Sequence, residues 1–154
     1  MITIRTIENI KLGALITKIN GIYAILLGIA YIAFFEMMIQ EVFKTIGDSW
    51  GFFDRYNPII GFLIHKQVIL IGLLVIAMGI CIVYLSSDIS RRKEKMPWIV
   101  LFVIGITFWS SFLTIEIFNK NWYVAIPATI GWVSFIVGML IPIKYYIEKP
   151  DAVY

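Results

Sequence analysis

Three stretches of this chain carry no charged side chain over a length that crosses a lipid bilayer: Gln67–Ser87, Met96–Ile115 and Trp122–Ile143. A fourth, Ile19–Phe35, ends against Glu36. The hydrocarbon core of a bilayer is about 30 Å thick, and a helix rises about 1.5 Å per residue. Inside lipid every backbone N–H and C=O must find a partner within the protein, so an isolated run of this kind is a helix. Composition agrees. Hydrophobic residues make up 60% of the 154 residues and charged ones 15%, against about 45–50% and about 25% in soluble domains. The apolar excess is gathered into the long runs and is not spread through a larger core.

The expected fold is therefore all-α: one integral membrane domain over residues 1–154, a four-helix bundle of two antiparallel hairpins. The spans are placed at about 19–39, 67–87, 97–118 and 122–143. Residues 40–66 form a long outer loop and 88–96 a cytoplasmic turn. Asn57 is the expected N-cap of the second span, with Pro58 at its first position. Gly47-Asp48-Ser49 and Asn119-Lys120-Asn121 are turn signals, and Pro127 lies inside the last span. The loop mixes charge with Phe43, Trp50, Phe52, Phe53 and Tyr56, which suits a segment resting on the membrane interface. Residues 1–18 read either as an amphipathic helix in the headgroup region or as an extension of the first span, with no cleavable signal peptide. The tail Lys144–Tyr154 is polar and expected to fray.

Glycines recur at seven-residue spacing in three spans: Gly21 and Gly28, Gly72 and Gly79, Gly131 and Gly138. Small residues at that interval let helix backbones approach, and they predict left-handed packing. Cys81 is the single cysteine, so no internal disulfide or CxxC pair exists; mid-span, it reads as a small packing residue. Gly72, Gly79 and Tyr84, the basic turn Arg91-Arg92-Lys93, and Pro97-Trp98 together give a layout that resembles short four-span membrane proteins, DoxX-like ones among them. The resemblance covers about 35 residues and implies no function.

Lys and Arg cluster in the N-tail (Arg5, Lys11, Lys18), the central turn (Arg91, Arg92, Lys93, Lys95) and the C-tail (Lys144, Lys149), leaving Lys44, Arg55, Lys66 and Lys120 for the other side. The positive-inside rule then puts both termini and the central turn in the cytoplasm of a cell-membrane protein. Tyr84, Trp98, Tyr145 and Tyr146 read as an inner aromatic belt. The cluster Arg91, Arg92 and Lys93 is a topology signal and a candidate contact for anionic lipid headgroups. The net charge of +3 is spread along the chain and gives no reason to expect nucleic acid.

Acidic residues within spans are costly and mark candidate sites. Glu36 and Glu116 both fall roughly 25–28 Å from the inner edge at 1.5 Å per residue. Gln40 follows Glu36 by one turn, and His65 stands at the head of the second span. A ligand site of Glu36, Gln40, His65 and Glu116, with Trp109 on the Glu116 face, is one expectation, for a divalent metal, a proton or a cationic amphiphile; the metal, if any, is not identified. The plain alternative is that the carboxylates sit in the wet interface beside Lys66 or Lys120. On the third span Gly105, Trp109, Phe112 and Glu116 share one face, and Thr107, Ser110, Ser111 and Thr114 the other; one sequence does not decide which points inward. No HExxH, P-loop, GxSxG or paired histidines occur, so neither an enzyme nor a cofactor is expected. The leading functional expectation is a non-catalytic accessory or structural subunit of a larger membrane complex, with other membrane subunits or self-association as partners. The other is a stand-alone binder or carrier at the Glu36/Glu116 level.

Overall fold

The computed structural model describes residues 4–45, 47 and 49–148, which form helices and no strand. Four helices are long: α1 (Ile4–Ala33), α4 (Pro58–Arg92), α5 (Lys95–Phe118) and α6 (Trp122–Leu140). Each is long and apolar enough to cross a membrane, the mark of a multi-pass membrane protein. Three are short: α2 (Phe35–Thr45), α3 (Trp50–Tyr56) and α7 (Ile143–Glu148). α1 lies along α4 and α5 along α6, and contacts of α1 with α6 and of α4 with α5 close an all-α four-helix bundle. One end carries α2, α3 and the α5–α6 turn; it is called the loop end here. The other, the turn end, carries the α4–α5 turn and α7.

α1 is organised by one seam. Ile10, Ala14, Thr17, Gly21, Ala24, Gly28 and Tyr31 are buried, at alternating steps of four and three residues, the spacing that keeps one face against a partner helix. The seam starts at Ile10, so α1 takes in the segment before Ile19 as one continuous helix. Glycine sets its contact with α4. A Cβ on Gly21 would fall 2.9 Å from the Gly79 carbonyl oxygen, and one on Gly79 2.7 Å from that of Gly21; Gly28 and Gly72 repeat the arrangement. The two backbones touch there, which only glycine allows.

The bounds of α1 and α4 differ from the sequence expectation. α1 ends at Ala33, although helical hydrogen bonds continue across Phe34, from Phe34 N–H to Ala30 C=O and from Met38 N–H to Phe34 C=O. α2 thus follows α1 after a single residue, Phe34, that is assigned to neither helix. α4 starts at Asn57-Pro58 and ends where Lys93 turns left-handed at φ 55°, so it overruns 67–87 at both ends. Its Lys66 does not stop it; the ammonium lies 4.4 Å above the Phe62 ring. Cys81 is exposed, because Ile82 takes the inward position seven residues after Val75.

α5 and α6 exchange aromatic rings over glycine. The Trp109 ring sits on Gly131 and the Phe135 ring on Gly105. The face of α5 that points inward is that of Gly105, Trp109, Phe112 and Glu116; Thr107, Ser111 and Thr114 are exposed. Beyond α6, the segment expected to fray folds as α7. It buries Tyr146, whose ring stacks on Trp98 at 5.1 Å, so neither residue forms part of an aromatic belt. Residues 149–154 lie outside the described residues, as do Ile46 and Asp48 of the Gly47-Asp48-Ser49 turn.

Candidate functional site at the loop end

The site begins with how α5 stops. Lys120 adopts a left-handed φ of 53°. Its N–H bonds the Ile117 carbonyl, and the Asn121 N–H reaches back to the Glu116 carbonyl, the paired closure of a Schellman motif. The turn folds Asn121 over the last turn of α5. There its Nδ2 donates to Glu116 Oε2 at 2.8 Å. Tyr31, one end of the α1 seam, donates its hydroxyl to Glu116 Oε1 at 3.0 Å. Glu116 is 1% exposed and Asn121 3%.

Asn121 also begins α6, with Val124 and Ala125 N–H bonded to its carbonyl. An asparagine at this position ordinarily turns its side-chain oxygen onto the first N–H groups of its own helix. Here it makes no such cap. Its amide points to Glu116, and its Oδ1 is buried with no hydrogen-bond partner. A buried acceptor left without a donor costs about 1–3 kcal/mol.

Glu116 and Asn121 line a cavity of about 320 Å³ at the loop end. Tyr31, Asn119 and Gln67 add polar groups to it. Its remaining walls are apolar: Ile64, Val68 and Ile71 from α4, and Phe35, Met38, Val42 and Phe43 among those from α2. Phe35, Met38, Val42 and Phe43 of α2 thus share the lining of one cavity with Glu116. An outer layer of rings holds α2 and α3 in place, with Trp50 edge-on to Phe35 at 5.7 Å and to Phe43 at 5.2 Å.

The residues singled out from sequence do not share one cluster. Glu116 is in the cavity. Glu36 is exposed in the first turn of α2. Gln40 is outside the cavity lining, and its Oε1 accepts from the Trp50 N–H at 3.2 Å. His65 is exposed, its ring against Phe35 at 4.4 Å. Trp109 lies deeper in the bundle, fully buried, and donates to Asn20 Oδ1 at 3.1 Å. Among the described residues no group of three or more His, Cys, Asp and Glu comes together to hold a metal. Arg91, Arg92 and Lys93 are at the opposite end.

Sequence reasoning missed Tyr31, Gln67 and Asn121. Two signals were present. Tyr31 falls on the glycine stripe of α1, three residues after Gly28. Asn121 closes the turn beside an intramembrane glutamate.

Comparison with known protein families, with curated proteins and with solved structures finds no match for the chain. The functional reading rests on the geometry alone.

Proposed function

We propose that the protein binds a small amphiphile with a cationic amine head in the cavity beside Glu116. One observation carries the reading: the unpartnered Asn121 Oδ1 beside the Glu116 carboxylate, in the lining of a cavity that is otherwise mostly apolar. An ammonium brings three N–H donors and a positive charge. It satisfies the orphaned oxygen and meets the carboxylate in surroundings where a charge-assisted hydrogen bond is strong. The apolar walls take the hydrocarbon part, and a volume near 320 Å³ lies at the small end of about 300–1,000 Å³ for ligand pockets. In the orientation that the cations favour, the cavity faces the outer leaflet.

The test is thermal unfolding of the detergent-solubilised protein with n-octylamine or n-octanol. At a concentration about a hundredfold above Kd, a ligand stabilises by about 2.7 kcal/mol. Octylamine is expected to raise Tm by several degrees and octanol to do little. Glu116→Gln should abolish the amine response, and Glu36→Gln, outside the cavity, should keep it. An equal response to the alcohol, or an undiminished amine response in Glu116→Gln, overturns the reading.

A second reading, the non-catalytic subunit of a larger membrane complex, draws on a different observation. Thr107, Ser111 and Thr114 form an exposed hydroxyl row on a membrane-spanning helix, and interfaces between helices in lipid are enriched in such residues. Native mass spectrometry of gently extracted protein tests it. Companion polypeptides in fixed ratio support the subunit reading, and a chain that travels alone or with copies of itself counts against it.

A further inference from the structure

At the turn end a second concavity, of about 490 Å³, runs along the outside of α4 beside α1. Its apolar part is walled by Ile25 of α1 and by Ile80 and Val83 of α4. Its far end carries Arg91 and Arg92, with Tyr84 between, 73% exposed. From Ile80 to Arg91 is about 16 Å at 1.5 Å rise per residue. The furrow therefore passes from a purely apolar stretch of α4 to its charged last turns, as a lipid passes from chain to headgroup.

The charge at that end comes from two helices. Arg91 has no carboxylate partner among the described residues, whereas Arg92 is held by Asp88 at 2.9 Å. Asp88 and Ser87 also line the furrow, and the Ser87 hydroxyl donates to the Val83 carbonyl at 2.8 Å. On α1, Lys18 and Lys11 stand seven and fourteen residues before Ile25, which places both on the stripe that walls the furrow. Both are exposed. Glu8, on a neighbouring stripe, is the nearby acid of α1. Within α1 and α4 at that end, Arg91, Lys18 and Lys11 thus outweigh Glu8, with Asp88 offset by Arg92.

We propose that this furrow binds one anionic phospholipid, its phosphate between Arg91 and Lys18 and an acyl chain along Ile25, Ile80 and Val83. The site is separate from the Glu116 cavity and does not depend on it. Its logic is that of a basic cluster at the end of a spanning helix, which attracts acidic lipid electrostatically, combined here with a shaped apolar trough.

The experiment compares phosphatidylglycerol, phosphatidylcholine of the same chains, and inorganic phosphate, each added to the protein in zwitterionic detergent, with thermal stability as the readout. Phosphatidylglycerol is expected to stabilise, phosphatidylcholine to stabilise far less, and phosphate alone not at all. Each removed cation should weaken apparent binding about fivefold, so Lys18→Gln with Arg91→Gln should weaken it about twenty-five-fold. Ile80→Trp fills the trough with every charge in place and should also lose the response. The proposal is overturned if phosphatidylcholine matches phosphatidylglycerol, if phosphate alone reproduces the effect, or if both variants respond as the wild type does.

Discussion

Asn20 of α1 hydrogen-bonds to two other helices of the bundle, α5 and α6. Its Nδ2 lies 2.7 Å from the Gly131 carbonyl and 2.8 Å from Ser134 Oγ, and its Oδ1 accepts from Trp109 at 3.1 Å. One side chain of α1 thereby ties α5 and α6. Asn20→Leu removes the acceptor and leaves the Trp109 N–H buried and unpaired, so unfolding in detergent should show a loss of about 1–3 kcal/mol. Trp109→Phe in the same background should add less than it costs alone, because the orphan is gone. Hydropathy passes over Asn20, since one uncharged amide hardly changes the mean of a span. Glu116 was legible because a carboxylate in a span is rare. Its partners were not, because they arrive from α1 and from beyond a turn whose backbone geometry no spacing rule encodes.

Among the elements, the seven-residue glycine spacing was visible in the sequence, but the partner of each glycine was not. Gly131 and Gly138 lie on one stripe of α6 and yet serve different neighbours. Gly131 seats the Trp109 ring, while a Cβ on Gly138 would meet Thr17 Oγ1 of α1 at 2.6 Å. Periodicity assigns residues to a face; the widths of the facing side chains decide what fills it. Gly105→Ala pushes into the Phe135 ring and should cost about 1–3 kcal/mol, part of which Phe135→Leu should restore. Gly51, with open space around it, is the control at which alanine should be tolerated. The α5–α6 turn gives a prediction of opposite sign. Lys120 holds a left-handed conformation that costs a residue with a Cβ about 1–2 kcal/mol. Lys120→Gly is expected to raise the unfolding midpoint, by about 1 kcal/mol after the greater freedom of an unfolded glycine is counted. A fall would mean that the lysine side chain has a role the turn geometry does not explain.

For the whole molecule, fold class was the most legible property, because bilayer thickness leaves a long charge-free run few alternatives. The loop end was the least legible. Residues 40–66 read as an interfacial loop, and what the pattern did not convey was that α2 forms the wall of a cavity. Which face of the membrane that cavity meets rests on the cation asymmetry. In a Cys81→Ser background, Lys120→Cys should react with an impermeant maleimide on intact cells and Glu94→Cys only after permeabilisation. The reverse pattern would invert the orientation and move the Glu116 cavity to the cytoplasmic side. The partners of α1 also imply an order of events during synthesis. Its glycine contacts with α4 are complete once Arg92 has been made, so the first hairpin can close while the ribosome is still translating. Asn20 has to wait longer. Every partner of its amide lies between Trp109 and Ser134, and until the second hairpin enters the membrane that amide stands in lipid unanswered, drawing the later half of the chain to the earlier one.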